Sequence, residues 1–288
     1  MEELAGKTAV ITGGASGMGR AFADRFASAG MRLVVADVEE PALDRAVEEL
    51  RAGGADVVGV PTDVSSAEAM DELAAAAFDA FEVVNVVCNN AGVGGGGPMA
   101  DLEVVDWDWV LGVNLWGVIH GIRVFLPHLI GHGDGHIVNT ASVAGLTSFP
   151  GMAPYNASKH AVVSISETLF QELGAMGSTV GVSVLCPGLV NTRIFESDRN
   201  RPEHLQRGPT HVPSAEEEQM REEMREVFAD RLRAGTQPAQ VAELVHDAVL
   251  AGQLYVLTDE EYEDAIERRH RRIEARENPE VGPHLLEP

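Results

Sequence analysis

Tyr155 and Lys159 stand four residues apart, so in a helix the phenol and the ammonium share one face, one turn from each other. That pair can do proton chemistry. Oxidising an alcohol removes a hydroxyl proton while hydride leaves the same carbon, which needs a base beside the oxygen and a hydride acceptor across the carbon. A tyrosine is a base only if its phenolate is stabilised, and a cation one turn away acts in that direction. In the ketone direction the phenol becomes the acid. Ser142, just past an apolar run, can donate to a substrate oxygen where charge accumulates. By spacing alone, Tyr155 and Lys159 equally fit a surface or cation–π pair.

The segment Thr12 to Gly19 reads TGGASGMG and lies between an apolar run and a helical pattern. Gly13, Gly17 and Gly19, with Ser16 and Met18 in the same segment, allow a sharp turn and close approach to a pyrophosphate, and the helix start that follows would point its free N–H groups at that charge. The spacing is GxxxGxG rather than GxGxxG, and a glycine turn of this kind can also be purely structural. Asp37, at the end of the next strand, can accept from adenosine ribose hydroxyls and would repel a 2′-phosphate. Glu39 and Glu40 follow it and no arginine is adjacent, which favours NAD over NADP. The other reading of Asp37 is a helix cap. Asp63 can meet the adenine edge while Val64 packs the ring, or Asp63 can be a solvent-facing turn acid.

These residues need a scaffold that brings strand ends together. Apolar runs predict strands at 8–12, 33–36, 57–60, 83–88, 136–140, 181–186 and 254–257. Helical periodicity predicts helices over 19–29, from Pro41 to the Gly53-Gly54 stop, from a Ser65/Glu68 capping box to Phe81, and over 107–132, 155–174, 215–232 and 238–251. The alternation implies an α/β fold, a doubly wound Rossmann-type parallel sheet of about seven strands with helices on both faces, with ligands at the carboxyl ends of the strands. Residues 1–288 are read as one Rossmann-type domain with a substrate lid over 192–232 and an extension over 258–288.

Several motifs in order identify a family resemblance: the Thr12–Gly19 turn, Asp63, Asn89-Asn90-Ala91-Gly92, Asn114, Ser142, Tyr155 with Lys159, and Pro187-Gly188. Over most of Gly6 to Leu257 the chain resembles the short-chain dehydrogenase/reductase family in its non-extended form. The resemblance implies a catalytic tetrad of Asn114, Ser142, Tyr155 and Lys159, with Asn114 holding a water in a proton relay and Lys159 bonding the nicotinamide ribose. It implies NAD or NADP as redox partner, contacts to that cofactor from Asn90, Ala91, Gly92, Pro187, Gly188, Val190 and Thr192, and a homodimer or homotetramer.

The expected substrate is a small, largely apolar alcohol or ketone. Leu146, Phe149, Pro150, Met152, Phe195 and Val212 would line its pocket if their loops fold inward, although each also reads as core packing. The four glycines Gly94 to Gly97 provide space or mobility, or a loose surface turn. The long segment after Thr192 is read as a lid that excludes water. Glu216 to Glu218 favour a helix start through its dipole and need not recognise anything cationic. Asp264 with Arg268, and Glu267 with Arg271, are favourably ordered i,i+4 pairs that suggest an exposed or subunit-bridging helix.

The net charge of -24, from 45 acids against 21 bases, argues against nucleic acid as a partner. Lys7 and Lys159 are the two lysines. Cys88 and Cys186 read as core thiols, and no zinc constellation is visible, so no metal is expected. The first residues lack a basic leader pattern and each apolar stretch is interrupted, so no membrane partner is expected and the cytoplasm is the default. Two other functions fit parts of this pattern: an NAD-binding redox sensor or scaffold without useful turnover, and an NADPH-dependent carbonyl reductase opposed mainly by Asp37.

Overall fold

A computed structural model describes residues 1, 3–208, 219, 226–227 and 229–280. Seven strands form one sheet in the order β3-β2-β1-β4-β5-β6-β7, every neighbouring pair parallel. They are β1 (Thr8–Thr12), β2 (Arg32–Asp37), β3 (Val57–Pro61), β4 (Val86–Asn89), β5 (His136–Thr140), β6 (Gly181–Cys186) and β7 (Tyr255–Leu257). Between them lie α1 (Gly17–Ser28), α2 (Glu40–Ala52), α3 (Ala67–Phe81), α4 (Val104–Leu111), α5 (Gly117–His132), α6 (Ala153–Ala175) and α7 (Pro238–Ala251), with α8 (Glu263–Ala275) after the sheet.

Strand residues alternate between two cores, as a two-residue side-chain period requires. Ala9 and Ile11 of β1, with Leu33 and Val35 of β2, pack under Phe22, Phe26, Leu43 and Val245 of α1, α2 and α7. Val10, Val34 and Ala36 point the other way, under Met70, Leu73, Phe125 and Leu129 of α3 and α5, and Leu169 and Leu173 of α6 extend that layer. Both faces of the sheet are therefore covered. Cys88 and Cys186 are free and buried, and burial pushes both thiols up.

Three local details differ from the sequence reading. Ser65 does not cap α3, because its N–H and hydroxyl both bond Asp63 Oδ1, at 2.9 and 2.7 Å. Ser66 caps it instead, accepting from Ala69 N–H at 3.2 Å. β4 starts after Asn85, whose side chain accepts from Thr8 N–H and donates to the Asp134 carbonyl. The helix expected from Trp107 starts at Val104, where Asp106 accepts from the Glu103 N–H at 2.8 Å.

α4 and α5 are joined through a π-turn, Gly112–Trp116, in which Gly117 N–H reaches the Gly112 carbonyl. Within Val104–His132 an 18-residue window has mean hydropathy 1.4, enough by length and composition alone for a bilayer span, a test that the core helix of a globular fold also passes. Here it packs on the sheet through Val118, Phe125 and Leu129, and the Arg123–Asp71 ion pair ties it to α3. Helix 215–232, Val212, Glu216, Glu217, Glu218 and much of the expected lid lie wholly or partly outside the described residues.

Candidate active site

The strand order reverses between β1 and β4, and a cleft of about 340 Å³ opens at their carboxyl ends. Its floor is a polar knot. Thr12 Oγ1 donates to the Cys88 carbonyl and accepts from the N–H groups of Asn90 and Ala91 at 3.0 and 3.1 Å. Asn90 Nδ2 returns a bond to the Thr12 carbonyl at 3.0 Å, and Thr140 Oγ1 donates to Asn90 Oδ1 at 3.4 Å. The ends of β1, β4 and β5 are thus fixed relative to one another.

The glycine turn fits a pyrophosphate cradle on geometric grounds. Gly13 has φ +63° and Gly17 has φ +55°, and a Cβ on Gly13 would sit 2.8 Å from the Ala91 Cα. Ser16 precedes α1 without a side-chain cap bond, so the first N–H groups of that helix stay available to the cleft that Ser16, Gly17 and Met18 line. Gly19 does not line the cleft; a Cβ there would lie 2.2 Å from the Gly13 carbonyl oxygen, so its role is to let helix and turn close up.

Asp37 lines the same cleft. Its Oδ2 accepts from Ala15 N–H at 3.0 Å and its Oδ1 from Glu39 N–H at 3.1 Å, while partial burial holds the carboxyl above its usual range. It does not cap α2, since Glu39 occupies the N-cap position. Asp63 is exposed on the cleft rim with Val64 buried beside it, and the bonds from Ser65 to its Oδ1 show that it also shapes its own turn.

Ser142, Tyr155 and Lys159 meet at the other end of the cleft. Pro154 sits in the first turn of α6, so the helix begins just before Tyr155 and places Lys159 one turn deeper. Lys159 Nζ stands 5.5 Å from the centre of the Tyr155 ring and donates to the Thr140 carbonyl at 2.9 Å. Ser142 Oγ contacts the Pro187 carbonyl at 3.3 Å and accepts from Ala144 N–H, capping a short turn. That turn lies hard against α6, because a Cβ on Gly145 would be 2.6 Å from the Lys159 carbonyl oxygen. Burial pushes the Lys159 ammonium down to about 8 and the Tyr155 phenol up, while the Ser142 hydroxyl acts against the rise at Tyr155.

Asn114 is fully buried in the π-turn and lies behind the cleft wall. Its Oδ1 accepts from Val93 N–H at 2.8 Å and its Nδ2 donates to the Val93 carbonyl at 3.0 Å. It therefore clamps the chain leaving β4 in the manner of a strand partner. Gly92 sits between it and the lysine: a Cβ there would be 3.4 Å from Asn114 Oδ1 and 3.8 Å from Lys159 Nζ. Pro187, Gly188, Val190 and Thr192 line the wall facing these groups.

Of the residues expected to surround a substrate, Met152 and Phe195 line the cleft, whereas Leu146, Phe149 and Pro150 do not. Trp109, Ile194, Leu205 and Tyr262 line it and were not foreseen. Gly94 to Gly97 are neither loose nor open. A Cβ on Gly95 would be 2.5 Å from Val110 Cγ2, one on Gly96 would be 2.1 Å from the Gly151 carbonyl oxygen, and Gly94 N–H donates to Ser197 Oγ. Gly94, Gly95 and Gly96 thus let Ile194, Val110 and Gly151 approach one stretch of chain, whereas a Cβ on Gly97, at φ +147°, would meet nothing closer than 3.8 Å.

Tyr262 enters from beyond the sheet. Gly188 N–H donates to Thr258 Oγ1, and a Cβ on Gly188 would lie 2.6 Å from Tyr262 Cε2. Asp259 accepts from Thr236 Oγ1 at 2.9 Å and completes this backing. In the same extension the Glu267–Arg271 pair forms at 2.5 Å on α8, as its spacing predicts.

Asp106 is buried and faces Arg201 and Arg207, each at 2.9 Å, while the Arg201 guanidinium lies 5.1 Å from the Trp109 ring centre. This acid pins segment 201–207 to α4. Asp106→Ala leaves two guanidiniums without their acid and is expected to cost about 3 kcal/mol of stability. Thermal unfolding would check it, and an unchanged midpoint would remove the clamp from Asp106.

Comparison with known proteins agrees with this arrangement. The sequence model described as short chain dehydrogenase matches residues 7–203. A CLA biosynthesis dehydrogenase/reductase of Lactiplantibacillus plantarum is 31% identical over 291 residues, covering 100% of this chain and 99% of its own length. A 1-deoxy-11-beta-hydroxypentalenate dehydrogenase of Streptomyces avermitilis is 44% identical over 188 residues, 64% of this chain and 69% of that protein. A short chain dehydrogenase/reductase from Burkholderia phymatum, solved in complex with NAD, superposes with a TM-score of 0.92 at 46% identity, covering 98% of this chain and 99% of the other.

Proposed function

Because the chain belongs to the short-chain dehydrogenase family, we propose that it is an NAD-dependent oxidoreductase moving hydride between a secondary alcohol or ketone and nicotinamide, with Tyr155 as acid and base. The observation that carries this reading is the meeting of Ser142, Tyr155 and Lys159 in one cleft with the glycine cradle and Asp37. The NAD complex of the Burkholderia phymatum protein supports the choice of cofactor.

In this reading Gly13, Ser16, Gly17 and Met18 hold the pyrophosphate, Asp37 the adenosine ribose, and Lys159 the nicotinamide ribose. Asp63, Val64, Asn90, Ala91, Gly92, Pro187, Gly188, Val190 and Thr192 complete the contacts. The bound nicotinamide supplies the site that accepts or gives hydride. Ser142 donates to the substrate oxygen, and Tyr155 takes the hydroxyl proton during oxidation or gives it during reduction. Lys159 favours the phenolate by its charge, and Asn114 keeps the Val93 backbone in place beside it. Trp109, Met152, Ile194, Phe195 and Leu205 offer a largely apolar chamber to the rest of the substrate. The described residues 192–205 already border that chamber through Thr192, Ile194, Phe195 and Leu205.

A screen of secondary alcohols and ketones with both cofactors, followed at the reduced-nicotinamide absorbance, tests the proposal. We expect turnover with NAD to exceed that with NADP by about tenfold or more, the effect of a carboxylate facing a phosphate. Equal use of both would overturn the NAD assignment. NAD binding with no turnover across the whole screen would favour the sensor or scaffold reading.

A further inference from the structure

The lip of the cleft beside Asp37 holds an arginine brought there from far along the chain. Arg199 lies 160 positions from Glu39, yet its Nε and Nη2 stand 3.0 and 2.8 Å from Glu39 Oε1. Asn200 Nδ2 donates to the same oxygen at 2.8 Å. Glu39 N–H is in turn bonded to Asp37, and Asp37, Glu39, Arg199 and Asn200 all line the one cleft. We propose that Glu39 is a second determinant of cofactor choice, acting by occupying Arg199, which would otherwise serve as a ligand for a 2′-phosphate at this lip. The inference rests on the NAD reading above.

A guanidinium at the adenosine-ribose end of a dinucleotide cleft is the group that accommodates a 2′-phosphate, because its planar fork matches phosphate oxygens. Here two nitrogens of that fork are directed at Glu39. The third, Nη1, donates to the Glu196 carbonyl at 2.9 Å. The head group is therefore held at the lip by the backbone even when Glu39 loses its charge. The Glu39 and Arg199 side chains are 28% and 31% exposed, so the pair is a partly solvated one whose net attraction is modest and replaceable. A 2′-phosphate, with more charge than one carboxylate, could compete for the arginine if Glu39 did not hold it. With Glu39 present, its carboxylate holds the Arg199 guanidinium, Arg193 on the same cleft also acts on Glu39 through its charge, and Asp37 adds a second negative charge against a phosphate.

The test is a fluorescence titration of the full chain with NADH and with NADPH, in wild type, Glu39→Gln, Arg199→Met and the double variant. Glu39→Gln is expected to tighten NADPH by about tenfold and to change NADH by about twofold or less. That gain should shrink with added salt and vanish in Glu39→Gln/Arg199→Met. An unchanged NADPH affinity in Glu39→Gln, or a gain that survives loss of Arg199, overturns the proposal. If wild type binds neither nucleotide, the NAD reading itself falls and takes this inference with it. If NADH binds and the Glu39 variant behaves as wild type, only the inference fails.

Discussion

Tyr155→Phe is expected to lower turnover by about a thousandfold or more while leaving NAD affinity within about twofold, since it deletes a proton-transfer group and little else. The ring is buried on the first turn of α6 and packs under Lys159 Nζ at 5.5 Å, contacts that phenylalanine keeps. What it loses is the only oxygen among Tyr155's side-chain atoms, the one able to exchange a proton with the substrate. Steady-state rates with a good alcohol, beside a cofactor titration, separate the two effects. Retention of more than about a tenth of wild-type turnover would remove Tyr155 from the acid–base role.

Lys159→Met is expected to weaken NAD binding and turnover together and, unusually for a buried polar substitution, to make the protein more stable near neutral pH. Burial pushes the Lys159 ammonium from its ordinary 10.5 down to about 8. Between those values the unfolded chain binds more protons than the folded one, so stability attributable to this group rises with pH across that window. Below about 8 the full desolvation cost is present. Removing the charge should then stabilise by about 2 kcal/mol at pH 7, after allowing for loss of the bond to the Thr140 carbonyl, and by much less near pH 10. Denaturant unfolding at both pH values checks the sign. Destabilisation at pH 7 would mean that the lysine is satisfied in the fold rather than held there at a cost.

The scaffold was legible where signals were local. Continuous apolar runs marked β1, β5 and β6 to the residue, and helical periodicity over 238–251 marked α7. Order alone then implied the sheet reversal at which the cleft opens. Choices between equivalent neighbours were not legible: Ser65 and Ser66 offer the same hydroxyl, and the turn at Asp63 decides which of them caps α3. Nor does spacing reveal a π-turn, whose extra residue lets Asn114 reach Val93.

The larger omissions concern contacts between distant segments. Asp106 with Arg201 and Arg207, Glu39 with Arg199, and Gly188 with Tyr262 join residues that no periodicity relates. The glycine run at 94–97 was misread because low side-chain volume signals either freedom or close approach, and only the neighbours tell which. Val110 and Gly151 show that it is close approach.

The backing of Gly188 by Thr258, Asp259 and Tyr262 has a temporal side. A nascent polypeptide that has already laid down six strands still lacks the wall behind its reaction chamber. A polypeptide released at that point would also be missing α7, whose Val241 and Val245 complete one core of the sheet, so one and the same last stretch of synthesis finishes both the fold and the back of the cleft.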